Sequence, residues 1–523
     1  MSPAGLLLRI APLPVALAAV LALLATASGV DDQTERVSLA TDGGEANAQS
    51  LSPALSGDGR YVAFESDASD LVAGDTNGRD IFVHDRETGT TARVNVASDG
   101  SQADNIGQYP DISDDGRYVA FSSPAQNLVP GDTNGQDDVF VHDRQTGTTE
   151  RVSLGPGGLE ANDASITPSI SGDGRYVAFT SRATNLVAGD ENDDWDVFVH
   201  DRATGTTELV SQASDGTPGD HSSGWFGAGR GRISADGRYV VFGSLASNLV
   251  PGDENLVDDV FLRDRMLGTT ERVSVATDGT EGNGHSTYPD VSDEGRYVVY
   301  QSDAGNLTED DTNSTSDVFL HDRQAGTTTL VSHAFGGGAA TGASQFPRIS
   351  GDGTTVVLEA PALDLVPDDT NLWRDVFSYD VASGTIALVS LGPDGVQGDG
   401  NSSSAAAGDT GATIAFHSFA PNLVDGDENG VPDVFVRGKS LAPPTPTPTA
   451  TATPTPQVAA GDANCDGSVN SIDAAVVLQF VAALLGALPC SAGADANADG
   501  VTSAIDATVI LQFVAGLLPA LPP

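Results

Sequence analysis

Between Leu441 and Pro523 the chain carries six charged side chains, and all six are aspartates: Asp462, Asp466, Asp473, Asp495, Asp499 and Asp506. They fall in two copies of one loop, GDANCDGSVNSID and ADANADGVTSAID, 33 residues apart. Each copy repeats oxygen-bearing side chains at positions 1, 3, 5, 9 and 12, with Gly at position 6. That is the pattern by which a twelve-residue loop turns on its Gly and surrounds one calcium ion with hard oxygen ligands.

A second acidic pattern, N-L-V-x-G-D-T-N-G-x-x-D and its variants, recurs seven times upstream. Its candidate metal ligands are Asp75, Asn77 and Asp80; Asp132, Asn134 and Asp138; Asp190, Asn192 and Asp196; Asp253, Asn255 and Asp259; Asp311, Asn313 and Asp317; Asp369, Asn371 and Asp375; and Asp427, Asn429 and Asp433. Carboxylate, amide and carboxylate at this spacing can meet one calcium, with carbonyls and water completing the shell. The alternative is an Asx turn, in which the same side chains cap local backbone amides. Histidines recur at His84, His142, His200 and His321, but Arg263, Tyr379 and Arg437 take that place in other copies. A position filled so variously reads as an outer-strand surface site, not a catalytic one. No Gly-x-Ser-x-Gly elbow, HExxH helix or phosphate loop is present.

The elements that position these residues repeat with them. RYVAF begins at Arg60, Arg117 and Arg175, RYVVF at Arg238 and RYVVY at Arg296, with degenerate copies at Thr354 and Ala412. DVFVHDR and its variants begin at Asp80, Asp138, Asp196, Asp259, Asp317, Asp375 and Asp433. The period is 58 residues, apart from one step of 57 and one of 63. Each unit predicts four strands. Pro110 to Ser113 represents the first, RYVAF follows an Asp-Asp-Gly or Gly-Asp-Gly turn, DVFVHDR alternates aliphatic and polar residues, and TTERVS follows a Thr-Gly turn. Tandem four-stranded units predict an all-β propeller. After the seventh third strand no TTERVS follows, whereas Thr34-Glu35-Arg36-Val37-Ser38 stands alone near the start. The N-terminal strand is therefore expected to complete the seventh blade, giving a seven-bladed β-propeller over residues 31–438 with no unpaired sheet edge between the first and last blades. The units resemble the TolB-like, WD-like β-propeller repeat through S-x-D-G-R-Y-V-A-F and D-V-F-V-H-D-R, which implies the fold but no activity.

Function on a propeller is expected where the repeat breaks. The 63-residue step carries Asp220-His221-Ser222-Ser223-Gly224-Trp225-Phe226 ahead of Arg230 and Arg232. Trp195 and Trp373 sit in the Asp/Asn loops, and in this topology the fourth-to-first and second-to-third connections share one face. Trp195, Trp225, Phe226 and Trp373 are therefore candidate ligand-binding aromatics, suited to stacking on sugar rings.

Bulk properties narrow the classes. Residues 1–27 read as a signal peptide: Arg9, an apolar run from Val15 to Leu24, and a small-residue cleavage site at Ala25-Thr26-Ala27. A retained N-terminal anchor is the alternative. No later run reaches the roughly 20 apolar residues of a membrane span. A net charge of −49 with one Lys argues against nucleic acid as a partner. Cys465 and Cys490 form a candidate disulfide in an exported chain, adding about 3 kcal/mol on a chain-entropy argument.

Residues 441–457 are a Pro/Thr-rich linker, expected to be an extended, semi-rigid spacer. Residues 458–523 then read loop, helix, loop, helix, with AAVVLQFVAALLGALP and ATVILQFVAGLLPALP as the helices. The doubled D-x-N-x-D-G-x-x-[NS]-x-x-D resembles a type I dockerin, a small α-helical domain of tandem EF-hand-like loops that binds calcium and docks onto cohesins. The resemblance implies one ion held by Asp462, Asn464, Asp466, the Ser468 carbonyl, Asn470 and Asp473. It implies a second held by Asp495, Asn497, Asp499, the Val501 carbonyl, Ser503 and Asp506. Dockerins often use Ser/Thr with Lys or Arg at loop positions 10 and 11 and on the following helix. Here those loop positions are Ser471, Ile472, Ala504 and Ile505, and the helices carry no charge. Helices apolar on nearly every face cannot all be hidden in so small a module. Phe480, Val481, Phe513 and Val514 are thus candidate partner-binding residues on an exposed apolar patch.

Together these features predict a secreted, calcium-binding propeller that binds or organises a polysaccharide or protein ligand, tethered to an extracellular assembly through a cohesin-like partner. The alternatives are a polysaccharide-degrading glycosidase or lyase on the propeller, and a surface adhesion protein.

Overall fold

The computed structural model describes residues 32–190, 192–225, 229–367, 369–439, 460–464, 468–489, 494–498 and 501–521. The candidate signal segment 1–27, the linker 441–457, Phe226, Cys465, Asp466, Cys490 and Asp499 lie outside the described residues. The chain forms two compact units, one up to Pro443 and one from Pro444.

In the first unit seven four-stranded antiparallel sheets follow one another as blades. Blade 1 runs Ser50–Leu55, Tyr61–Ser66, Asp80–Asp85 and Thr90–Arg93. Blade 2 repeats this as Gln108–Ile112, Tyr118–Ser123, Asp138–Asp143 and Thr148–Arg151. Blade 7 takes Ser402–Ala407, Thr413–Ser418 and Asp433–Lys439 from the end of the unit, and Asp32–Arg36 from its start. Thr34 pairs with Arg437 and Arg36 with Phe435, so the N-terminal strand closes the ring, and the seven-bladed propeller is the observed architecture.

Period-2 alternation explains the core. Within blades, Phe64 stacks on Phe82, Phe121 on Phe140 and Phe179 on Phe198, at ring distances of 5.8–5.9 Å. All six rings are buried, together with Val and Ala of adjacent blades. Between blades the joint is an aromatic on a glycine. A Cβ on Gly116, in the first turn of blade 2, would lie 2.0 Å from Cδ2 of Tyr61 in blade 1. The same contact joins Tyr118 to Gly174, Tyr176 to Gly237, Tyr239 to Gly295 and Tyr297 to Gly353. In the degenerate copies Thr355 faces Gly411, and Thr413 faces Gly59 across the closure. Arg144 of the next blade covers the other side of Tyr61, 4.3 Å from the ring centroid.

The first strands carry a shared irregularity. Their register shifts midway, and Ser52, Tyr109, Thr167, Tyr288, Phe346 and Ser404 sit at the shift with φ of 51–55°. This β-bulge re-aims one side chain per blade. Blade 4 differs. Ser223 still bridges to Ser244, as Ser165 does to Ser181, but ladder pairing resumes only at Arg232–Ile233. The additional residues of the 63-residue step therefore open inside the innermost strand.

In the second unit the helices are shorter than the apolar runs. α1 spans Ser471–Val481 and α2 spans Ala504–Val514. Both begin at capping boxes, Asn470 with Asp473 and Ser503 with Asp506. Both end in a Schellman turn: Leu484 N–H donates to Gln479 C=O and Ala483 N–H to Phe480 C=O, matched by Leu517 to Gln512 and Gly516 to Phe513. Val477 and Ile510 bury between them with Ala463, Ala474, Ala494, Ala496 and Ala507.

Candidate functional site

The Asp/Asn loops are arranged alike in most blades. In blade 2 Asn134 Nδ2 donates to Asp138 Oδ2 at 3.0 Å and to the Ala161 carbonyl at 3.1 Å, while its Oδ1 accepts the Gln136 N–H. Asn192, Asn255, Asn313 and Asn429 make the same bonds to Asp196, Asp259, Asp317 and Asp433. Asn371 instead donates to the Gly398 carbonyl, and Asn77 to the Ala103 carbonyl. In four blades an arginine of the fourth strand lies among the carboxylates. Arg151 Nη1 is 3.5 Å from Asp132, 3.1 Å from Asp138 and 2.7 Å from Glu160. Arg36 lies by Asp427, Asp433 and Glu45, Arg272 by Asp253, Asp259 and Glu281, and Arg93 by Asp75 and Asp80. Leu209, Leu330 and Leu388 replace that arginine beside Asp190 and Asp196, Asp311 and Asp317, and Asp369 and Asp375. Burial pushes Asp196 up to about 7 and Asp317 and Asp375 up to about 6.

The recurrent histidines are buried, contrary to the surface position expected for them. His84, His142, His200 and His321 each bond through Nδ1 to a fourth-strand Thr, at 2.9 Å. That Thr in turn donates to a carbonyl of the connection entering its blade, as Thr91 does to Leu39. Arg263 makes the equivalent bonds to Thr270 and the Ala213 carbonyl, and Arg437 to Thr34 and the Leu391 carbonyl. The position tolerates several residue types because any donor there can brace the blade. Burial pulls His84 down to about 4.

Three of the four candidate aromatics lie among the described residues. Trp225 is half-buried and its indole N–H donates to Asp258 at 3.2 Å, Trp195 is half-buried with Arg182 5.9 Å from its ring, and Trp373 is exposed.

Other residues converge on the axis. A cavity of about 420 Å³ is walled by the first strands of all seven blades, including Ala54, Asp111, Ser169, Arg232, Asp290, Arg348 and Ala406. Arg230, Tyr288, Phe346, Ser52 and Ser404 line it at the bulge level. Arg232 lies 3.5 Å from Asp111, which also accepts the Ile170 N–H at 2.9 Å. Asp290 accepts the Ile349 N–H at 3.0 Å and is pushed up to about 6 by burial. Behind Ser404 lies Glu359, fully buried, 3.5 Å from Arg374 and pushed up to about 7 by burial. At the first-turn level, Asp114, Asp293 and Asp409 face one another. Arg230 and Arg232 were visible as residues following the insertion. The Tyr-Pro and Phe-Pro pairs at Tyr109, Tyr288 and Phe346 were the remaining signal, readable only once the bulge is known.

In the second unit the two ends of each loop meet at its position-12 aspartate. Asp473 is buried, with Oδ1 accepting Asn464 N–H at 3.1 Å and Oδ2 accepting Asn470 N–H at 2.8 Å. Asp506 repeats this with Asn497 at 3.1 Å and Ser503 at 2.7 Å. Asp462, position 1 of the first loop, is buried as well. Each position-12 carboxylate thus draws positions 3 and 9 together, the closure a hard cation in the loop requires. Ser468 lies in the first loop, where its carbonyl accepts Asn470 Nδ2, and Val501 and Asp495 lie in the second. Val481 and Val514 are exposed, as are Ile472 and Ile505 and Leu484 and Leu517, while Phe480 and Phe513 are half-buried.

Residues 460–515 match the family described as Dockerin type I domain. No curated protein sequence matches the chain. Among solved structures, the chain is similar to a putative TolB from Agrobacterium tumefaciens, with 16% identity, 54% of this chain and 80% of that chain covered, and a TM-score of 0.34. It is similar to an oligogalacturonate lyase in complex with manganese, with 11% identity, 78% and 93% covered, and a TM-score of 0.48. It is also similar to the β-propeller domain of the Trilobed protease from Pyrococcus furiosus, with 12% identity, 75% and 95% covered, and a TM-score of 0.46. The chain therefore joins a seven-bladed β-propeller, with TolB among its structural neighbours, to a dockerin type I domain at residues 460–515.

Proposed function

We propose that this is an exported binding protein: its dockerin domain takes two calcium ions and docks onto a cohesin-like partner of an extracellular assembly, and its propeller presents a ligand site. The observation that carries the docking half is the buried pair Asp473 and Asp506, each accepting N–H groups from positions 3 and 9 of its own loop. The described ligand residues are all hard oxygen donors and fit calcium. They fold the loop ends that start α1 and α2, so docking should need the ion. Export is supported by the signal-like segment at residues 1–27 and by the type of domain at the other end.

The test uses the full chain on a cohesin-coated surface. Binding should appear with millimolar calcium, vanish with chelator, and return on adding calcium back. Binding that survives chelation, with an unchanged helical signal, would remove the calcium requirement.

The enzyme reading, a glycosidase or lyase on the propeller, draws on one feature, Glu359, buried in the channel wall and raised to about 7. Incubating the full chain with a polysaccharide panel, and scoring retention and released product separately, distinguishes the two. Retention without product supports binding, and any turnover supports the enzyme. The purely adhesive reading predicts neither.

A further inference from the structure

Most arginines of this propeller are neutralised. Arg60, Arg117, Arg175, Arg238 and Arg296 each grip an aspartate of the next strand with two nitrogens. Arg230 and Arg348 are different. Neither guanidinium donates to an acceptor or lies within ion-pair distance of a carboxylate among the described residues, and both line the axial cavity. Arg232 stands beside Arg230 in the same wall, held only loosely by Asp111. Burial, with Arg232 as neighbour, pulls Arg230 down to about 10. Gathering half-buried guanidiniums, two of them with no hydrogen-bond or ion-pair partner among the described residues, is costly. A protein with 73 acidic residues had ample means to pair Arg230 and Arg348 with carboxylates.

The backbone holds Arg230 in place. It sits between Gly229 and Gly231, at the end of the extra residues in the innermost strand of blade 4. Gly229 has φ of +87°, and a Cβ there would lie 2.5 Å from the Tyr288 backbone; one on Gly231 would lie 2.8 Å from Val197. These two close approaches fix the backbone on either side of Arg230, whose side chain lines the channel. The Tyr109 ring lies 4.5 Å from Arg230 Cζ, and Tyr288 meets Phe346 edge to face at 4.7 Å. All three aromatics sit at the left-handed bulge position. Asp111 and Asp290 lie one step further along the same strands.

We infer that the axial channel receives a short acidic saccharide, its carboxylate gripped by Arg230 and Arg348 and its sugar face laid on Tyr288 and Phe346, with Asp111 and Asp290 accepting its hydroxyl protons. Arginine suits a planar carboxylate because its fork donates two parallel bonds. Aromatic faces suit the C–H surface of a sugar, and the cavity volume falls within the usual range for small ligands, about 300–1,000 Å³. The overall charge of −49 disfavours long polyanions, leaving a short chain or a chain end as the occupant. This inference rests on the reading of the propeller as a binding module.

The test is calorimetric titration of the calcium-loaded full chain with a digalacturonate, a neutral disaccharide of the same size, and an acidic dipeptide. The digalacturonate should bind, more weakly as salt rises, and Arg230→Met and Arg348→Met should each weaken it at least tenfold. Arg230→Lys, which keeps the charge but not the fork, should fall between. Unchanged melting temperatures show that the variants fold; if Arg230→Met does not, Arg348→Met and Arg230→Lys decide. Digalacturonate binding that ignores all three variants overturns the site. Selective binding of the dipeptide overturns the saccharide class. Binding of the neutral sugar alone, lost in Tyr288→Leu, overturns the acidic ligand but leaves the binding module standing. No binding by any of the three probes overturns the inference, and the broader polysaccharide panel then decides the binding reading separately.

Discussion

Ser38 Oγ donates to Asp433 Oδ1 at 2.5 Å, joining residues 395 positions apart. The same bond in blade 2 joins Ser153 to Asp138 at 2.5 Å, only 15 positions apart. Ring closure therefore reuses a local bond of the repeat as a long-range contact. Ser38→Ala leaves a buried carboxylate short of one donor and should cost about 1–3 kcal/mol, as should Ser153→Ala. Denaturant midpoints compare them directly. A Ser38→Ala midpoint equal to that of the parent chain would show that the N-terminal strand does not hold the seventh blade.

Gly116 is confined twice, by φ of +68° and by the Tyr61 ring where its Cβ would stand. Gly147 has φ of +73° with nothing within 4 Å. Gly147→Ala should cost only the left-handed backbone, about 1–2 kcal/mol. Gly116→Ala adds overpacking against Tyr61 of the preceding blade and should reach about 3 kcal/mol or more. Equal losses, measured by equilibrium unfolding, would mean that the aromatic-on-glycine joint carries no packing energy.

The three-aspartate end of the channel should make stability depend on pH. Burial, then Asp409 and Asp293, pushes Asp114 up to about 7, and burial, then Asp409, pushes Asp293 up to about 6, from an ordinary 3.8. Folded, these acids keep protons that the unfolded chain has released. Their stabilisation is complete below 3.8 and is lost as pH rises through about 6 and 7. Melting temperature at fixed calcium should fall between about pH 4 and pH 7, and the triple change of Asp114, Asp293 and Asp409 to Asn should flatten that fall. Identical slopes for parent and variant would assign the pH dependence elsewhere. Asp201, held at about 2 by Arg175, acts oppositely: its stabilisation is present above 3.8 and is lost as pH falls through about 2.

The two helices of the dockerin domain end in the same turn, but Ala483 holds at φ of 57° the place that Gly516 holds at 72°. Ala483→Gly should relieve the left-handed backbone and stabilise the calcium-loaded domain by about 1 kcal/mol, after allowing for the extra freedom of Gly in the unfolded chain. Gly516→Ala should do the reverse. Calorimetry of the full chain reads both. Destabilisation by Ala483→Gly would mean that the first helix does not end at Ala482.

Much of this protein is determined by short-range sequence. Alternating apolar residues in DVFVHDR, the Asp-Gly turns before RYVAF and the displaced TTERVS at Thr34 specify strands, hairpins and the closure of seven blades, because each depends on neighbours a few residues away. The tail loops are legible for the same reason: position 12 lies one turn into the helix that its capping box begins.

The tertiary structure decided the rest. A bulge moves Tyr288 and Phe346 to the channel and sets Tyr109 against Arg230, and no local pattern marks a left-handed residue before Pro. The same ring leaves Arg230 and Arg348 lining a common space from blades 4 and 6. It also buries His84 against Thr91, where residue variety had suggested solvent. The neighbours that matter here are about 58 residues apart along the chain or lie across the axis, so only closing the ring assembles them.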